Sequence, residues 1–126
     1  MSKPSTNDLA YQARQAGYQV VEAQQARTNR WILTLKDTRG AMLVVLVQAR
    51  PLIVAADVQD LAELVRLRHN ARGLLWAYDG GFSPTAQHTF AELRDSRLRL
   101  CTALPPAAQA DGDDMLSVGA ALRPTT

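Results

Sequence analysis

The chain has 126 residues, which is enough for one domain and too few for two of ordinary size. Hydrophobic residues make up 47% and charged residues 21% of it, an ordinary globular balance that argues against intrinsic disorder. The net charge of +2 is unevenly distributed: residues 1–104 carry 13 Lys or Arg against 9 Asp or Glu, and the remainder carries three Asp and one Arg. Because most of these cations are arginine, which forms bidentate contacts with phosphate, a polyanionic partner is one expectation.

Cysteine content and hydropathy bear on where the protein acts. Cys101 is the single cysteine, so no intramolecular disulfide can form and a reducing compartment is expected. The longest apolar run, residues 41–47, is far shorter than the roughly 20 residues of a membrane helix. Residues 1–8 contain no apolar segment of the kind found in signal peptides. We therefore expect a cytoplasmic protein with no membrane partner.

The first half of the chain reads as one helix followed by three strands. A helix is predicted over 8–16, because Ser5, Thr6 and Asn7 offer capping oxygens and Gly17 suits the position after a helix end. Strands are predicted over 18–23, 30–36 and 41–50, the last two joined by a turn at 37–40. The third strand is apolar on both faces, which is typical of a central strand covered on both sides.

The second half alternates helices and strands. A helix is predicted from an N-cap at Asp57 to about residue 69, with apolar residues at helical spacing, and a strand over 73–78. Ser83 and Pro84 begin a third helix, and 97–101 is the last strand. The order αβββαβαβ predicts a three-layer α-β-α domain around a mixed sheet. We assign residues 1–7 to a short arm, 8–104 to the domain and 105–126 to a flexible tail.

Four short stretches have the order and spacing of one known family. They are residues 16–21 (AGYQVV), 46–50 (LVQAR), 72–77 with 81–86 (RGLLWA and GFSPTA), and 98–100 (LRL). Together, over about residues 9–104, they resemble the Mrr catalytic domain of the PD-(D/E)xK nuclease superfamily. The resemblance implies a restriction-endonuclease-like fold.

The same resemblance implies a degenerate catalytic site. In that family an acid on the second strand holds a divalent metal, and the third strand carries Gln or Glu, then any residue, then Lys. The matching positions here are Gln12 in the first helix, Ile32 in the segment 30–32, and Gln48 and Arg50 in the third strand. None of them is an acid, and Mg²⁺ requires anionic oxygen ligands. We therefore predict no catalytic residue, no metal and no other cofactor at these positions.

Arginines offer a nucleic-acid-binding function in place of catalysis. Arg50 can hold a phosphate, and Arg66, Arg68 and Arg72 are predicted to form a basic stripe on and after the second helix. The leading hypothesis is a catalytically degenerate domain that binds nucleic acid, with DNA favoured, through a basic face.

Two other functions stay open at this point. The fold can serve as a protein-interaction module, such as a regulatory or inhibitory subunit, and a second copy of the chain is one candidate partner. An active metal-dependent nuclease would need a relocated acid, for which Glu22, Asp57 and Glu63 are the candidates. Cys101 and Ser83 are interpreted as a core residue and a helix cap rather than as nucleophiles.

Overall fold

The computed structural model describes residues 3–68 and 70–110, apart from the side chains of residues 109 and 110. The described residues form four helices and seven strands in the order α1 (Thr6–Gln15), β1 (Gln19–Arg27), β2 (Arg30–Lys36), β3 (Met42–Gln48), β4 (Leu52–Ile53), α2 (Ala55–Arg66), β5 (Arg72–Ala77), β6 (Gly81–Phe82), α3 (Pro84–Leu93), β7 (Leu98–Cys101) and α4 (Ala107–Ala110). None of these helices is long and apolar enough to cross a membrane.

A five-stranded mixed sheet with the order β1-β2-β3-β5-β7 forms the centre of the domain. β1, β2 and β3 pair antiparallel, whereas β3, β5 and β7 are parallel. β3 is the middle strand, as its apolar faces predict, because both of its faces are covered. The predicted α/β architecture with a mixed central sheet and helices on both sides is confirmed.

Each face of the sheet carries its own apolar core. On the α1 face, Leu9 and Ala13 pack against alternate residues of the strands, including Trp31, Val45 and Trp76. On the α2 face, the other alternate residues pack against α2 and α3. Both tryptophans are buried, as expected from their place in strands. The period of two along β2, β3 and β5 therefore assigns their residues to one of two layers.

The sheet has two ends with different connections. We call the end where β3, β5 and β7 finish the carboxyl end, and the end where they begin the amino end. At the amino end lie the β2–β3 turn and the connections that lead from α2 into β5 and from α3 into β7. At the carboxyl end β3 leads through β4 into α2, and β5 leads through β6 into α3. A side chain's position along its strand thus determines the end to which it belongs.

Element boundaries differ from the predictions in two places that concern the site. β1 continues to Arg27, four residues beyond the predicted end, because its backbone pairs with β2 as far as Arg30. α2 begins at Ala55, so Asp57 is the third helical residue and the prediction that it is the N-cap was wrong. The cause is the short parallel pairing of β4 with β6, which was not predicted and brings the chain to the helix start three residues earlier, with Val54 as the N-cap.

Part of the predicted tail packs against the domain. The Tyr18 hydroxyl donates to the Pro105 carbonyl at 2.7 Å, and the Ala107 amide donates to the Ala16 carbonyl at 2.8 Å. Ala107 is buried in the α1-side core. Residues 111–126 of that predicted tail lie outside the described residues, as does residue 69, where the second helix was predicted to end.

Candidate functional site

A buried polar cluster lies on the α2 face at the carboxyl end of the sheet. Gln48 is the last residue of β3, and its side chain is completely buried. Arg30, the first residue of β2, is its direct partner across the antiparallel ladder. The Arg30 Nε donates to the Gln48 Oε1 at 2.8 Å. Strand register alone therefore places a guanidinium group against the amide that the sequence motif singles out.

α2 contributes a buried carboxylate to the same place. Asp57 Oδ1 accepts from an Arg30 terminal nitrogen at 2.8 Å and from the Gln48 Nε2 at 3.0 Å. Its second oxygen, Oδ2, accepts from the Val54 amide at 3.0 Å and so satisfies a donor at the start of the helix. In the described part of the chain, both oxygens of the Asp57 carboxylate accept hydrogen bonds from other groups of the protein. The Asp57 side chain is only 3% exposed.

Asp60, one turn further along α2, completes the set. Its Oδ2 accepts from the other terminal nitrogen of Arg30 at 2.9 Å, and its side chain is half exposed. The four residues Arg30, Gln48, Asp57 and Asp60 are called the Arg30 cluster below. All three guanidinium nitrogens are used, each towards a different side chain. The guanidinium thereby joins β2, β3 and α2.

The Arg30 guanidinium lies where oxygen atoms of three side chains converge. Such oxygens are the ligands that a hard divalent cation would select. Here the amide oxygen of Gln48 and the carboxylates of Asp57 and Asp60 all accept from Arg30. Within residues 3–68 and 70–110, no group of three or more His, Cys, Asp or Glu side chains is placed to hold a metal ion. A guanidinium stays charged at physiological pH, so it cannot take a proton from water.

The structure brings together only some of the predicted site positions. Ile32 lies on the same face as Gln48, opposite Leu46, and packs against the α2-side core. Gln12 lies on the other face, where it lines an open groove beside Trp76 and Tyr78. Arg50 is exposed beyond the end of β3. Of the four degenerate-site positions, only Gln48 therefore lies within the Arg30 cluster, and sequence reasoning missed the role of Arg30.

The predicted nucleic-acid-binding arginines lie at two ends of the sheet. Arg66 ends α2 and Arg72 begins β5 at the amino end, whereas Arg50 follows β3 at the carboxyl end. Arg72 pairs with Leu43, five residues before Gln48, which corresponds to about 17 Å along a strand. Arg66 pairs with Glu63, and Arg68 donates to the Thr34 Oγ1 at 3.0 Å. Arg50 therefore does not form one continuous track with the other three.

The remaining candidates have structural positions. The Ser83 Oγ accepts from the Ala86 amide at 3.0 Å and caps α3, as its sequence context predicts. Burial raises the pKa of the Cys101 thiol, so the reactive thiolate is not formed at neutral pH. Among the proposed relocated acids, Asp57 lies in the Arg30 cluster, whereas Glu22 lies on the edge strand β1 and Glu63 pairs with Arg66.

Comparison with known proteins identifies the fold. No family model and no curated protein matches the sequence. Among solved structures, the chain is similar to EndoMS in its apo form, with 17% identity and a TM-score of 0.57 over 84% of this chain and 48% of that one. It is also similar to a repair endonuclease from Pyrococcus abyssi, with 13% identity and a TM-score of 0.53 over 84% of this chain and 49% of that one.

The chain spans about half the length of each of these two proteins. At such low identity the likeness concerns the fold, which is restriction-endonuclease-like. The nuclease-like domain that the sequence motifs suggest is therefore confirmed at the level of fold.

Proposed function

We propose that this chain is a restriction-endonuclease-like domain that has no nuclease activity and binds nucleic acid, with double-stranded DNA as the expected form. The position of the Arg30 guanidinium is the observation that carries the first half of this proposal. The second half is supported by the nuclease fold and by the arginine content of the domain.

Loss of nuclease activity follows from what metal-dependent hydrolysis requires. A divalent metal lowers the pKa of bound water and neutralises charge on the scissile phosphate. To bind between Gln48 and Asp57, such an ion would have to displace Arg30 and leave the guanidinium without its three partners. Displacement of a nearly buried charged group from all its hydrogen bonds is costly. The cluster therefore favours a structural ion pair over a metal site.

Nucleic-acid binding needs no metal and no proton transfer. Phosphate contacts from Lys and Arg supply most of the affinity of non-specific DNA binding. The arginines that the sequence singles out are divided between the two ends of the sheet, with Arg66, Arg68 and Arg72 at the amino end and Arg50 at the carboxyl end. We expect the phosphate contacts at one of these ends. The alternative functions, a protein-interaction module and a nuclease with a relocated acid, each predict a different result in the experiment below.

The experiment combines a cleavage assay with a binding titration on one purified sample. A labelled DNA duplex is incubated with Mg²⁺ or Mn²⁺, and binding is measured by fluorescence anisotropy from about 50 to 200 mM salt. We expect intact DNA in the cleavage assay, together with affinity that falls steeply as salt rises.

Two results would contradict the proposal. Cleavage that Asp57→Asn abolishes and Glu22→Gln retains would show that the relocated acid is active, provided that both variants keep the native circular dichroism spectrum. Absence of binding even at low salt would remove the nucleic-acid function and favour the protein-interaction module.

A further inference from the structure

The charged residues are distributed unequally between the two ends of the sheet. The segments that form the amino end, residues 36–40, 63–68, 70–72 and 92–99, contain eight Lys or Arg against four Asp or Glu. The eight are Lys36, Arg39, Arg66, Arg68, Arg72, Arg94, Arg97 and Arg99. This excess of four positive charges is twice the net charge of the whole chain, so the remaining residues are net negative.

The carboxyl end has no such excess. Arg27, Arg30 and Arg50 lie there with Asp57, Asp60 and Asp79, so the positive and negative charges are equal in number. Arg30 is moreover held by both carboxylates of its cluster. A phosphate that approaches this end meets no net attraction from these groups.

Three arginines of the amino end lie beside one cleft. Arg72, Arg97 and Arg99 line it together with Leu43 and Pro105. The backbone explains this proximity: β5 and β7 are neighbours, and the Gly73 amide donates to the Arg97 carbonyl at 2.8 Å. Arginines that line one cleft suit a phosphate, which accepts several hydrogen bonds at once.

The acids of this end offset only part of the charge. Asp95 accepts two hydrogen bonds from the Arg97 side chain, at 2.8 and 3.0 Å. These hydrogen bonds lower the pKa of Asp95, so the carboxylate is ionised at neutral pH. Asp37 accepts from the backbone amides of its own turn, and Glu92 pairs with His88. Surface pairs such as Arg97 with Asp95 are weak and leave the net excess in place.

The dimensions of this surface match a short stretch of a DNA strand. From β2 to β7 there are three strand spacings, or about 14 Å. Charges on one DNA strand recur every ~3.4 Å along the helix axis, so about four phosphates cover that width. The two ends of the sheet are separated by about 17 Å along β3, which exceeds the ~8 Å Debye length at physiological salt. The two ends therefore act on a polyanion independently.

We propose that the amino end of the sheet is the DNA-binding surface, so that DNA binds away from the Arg30 cluster and its nuclease-like position. This inference rests on the proposed function, because it identifies the surface that the nucleic acid contacts. Three or four phosphate contacts give an expected slope of about −3 in a plot of log affinity against log salt.

The test compares two double variants with the same change in charge. Arg72→Gln with Arg97→Gln alters the amino end, and Arg27→Gln with Arg50→Gln alters the carboxyl end. We expect the first pair to weaken duplex binding about tenfold or more and to reduce the salt slope by about two units. We expect the second pair to bind within about twofold of the parent protein. Thermal unfolding monitors the folding of each variant.

If the first pair does not fold, Arg39→Gln with Arg94→Gln tests the same end at two exposed positions. Loss of binding in the carboxyl-end pair alone would overturn this inference and leave the proposed function intact. Equal losses in both pairs would also overturn it, because the inference assigns the contacts to one end. If the parent protein binds no DNA at low salt, it is the proposed function that fails.

Discussion

Arg30 and Asp57 form an ion pair in which each side chain compensates the charge of the other. The Asp57 side chain is 3% exposed and the Arg30 side chain 17%, and the two are joined directly and through Gln48. A buried ion pair contributes little net stability against an apolar replacement, but removal of one partner leaves an uncompensated charge. The pair is therefore expected to be sensitive to single substitutions and less sensitive to a double one.

Arg30→Ala is expected to reduce the free energy of unfolding by about 3 kcal/mol, since Asp57 then remains buried without its cation. Arg27→Ala, at an exposed position near the end of β1, is the control and should change it by less than about 0.5 kcal/mol. Urea denaturation measures both values. The double variant Arg30→Ala with Asp57→Ala should lose less than the sum of the single variants. Strict additivity would show that the pair is not coupled.

The role of Arg30 depends on one residue of strand register. A turn at 37–40 that closes with Lys36 opposite residue 41 would place Asn29 across from Gln48. The structure instead pairs Lys36 with Met42, and thus Arg30 with Gln48. A shift of one residue moves every side chain of a strand to the other face. The sequence identified Gln48 and an acid-free segment at 30–32, but it could not decide between these registers.

At the scale of elements, α2 lies close to β5 because Gly73 has no side chain. A Cβ atom at Gly73 would lie 2.3 Å from the Val65 Cγ2 and 3.2 Å from the Leu61 Cδ1, both on α2. It would also lie 3.0 Å from the Leu98 Cδ2 on β7. Val65 and Leu61 are completely buried, so neither can move towards solvent.

We expect Gly73→Ala to lower the free energy of unfolding by about 1–3 kcal/mol, the usual cost of overpacking a core. Gly81→Ala is the matched control, because a Cβ at Gly81 meets nothing within 4 Å and should change stability by less than about 0.5 kcal/mol. Chemical denaturation of the two variants side by side tests the comparison. Equal effects would mean that α2 can move away from the sheet without cost.

Periodicity predicted the long elements well and the short ones poorly. β3 is predicted from its two apolar faces, and α3 is predicted from the Ser-Pro pair at its start. Both signals lie within the element that they predict. The two-residue strands β4 and β6 pair with each other across nearly thirty residues of sequence, and nothing local indicates them. The same pairing moved the start of α2, so the predicted cap at Asp57 failed for a tertiary reason.

At the scale of the whole molecule, the fold and the charge distribution differ in how far the sequence predicts them. The order of elements and the family resemblance led to the correct α/β architecture. The positive amino end comes from three segments that are distant in sequence and meet only because β3, β5 and β7 are parallel neighbours. The sequence alone does not separate Arg50 from Arg66 and Arg68, because it does not give their positions along the sheet.

The central claim is that DNA contacts one end of the domain and the Arg30 cluster occupies the other. An NMR titration of the ¹⁵N-labelled protein with a short duplex at low salt tests it most directly, with high salt as the control that suppresses binding. The account predicts the largest amide shifts in residues 36–40, 66–68, 70–72 and 94–99. The largest shifts in residues 27–30, 48–51 and 79–83 would contradict it.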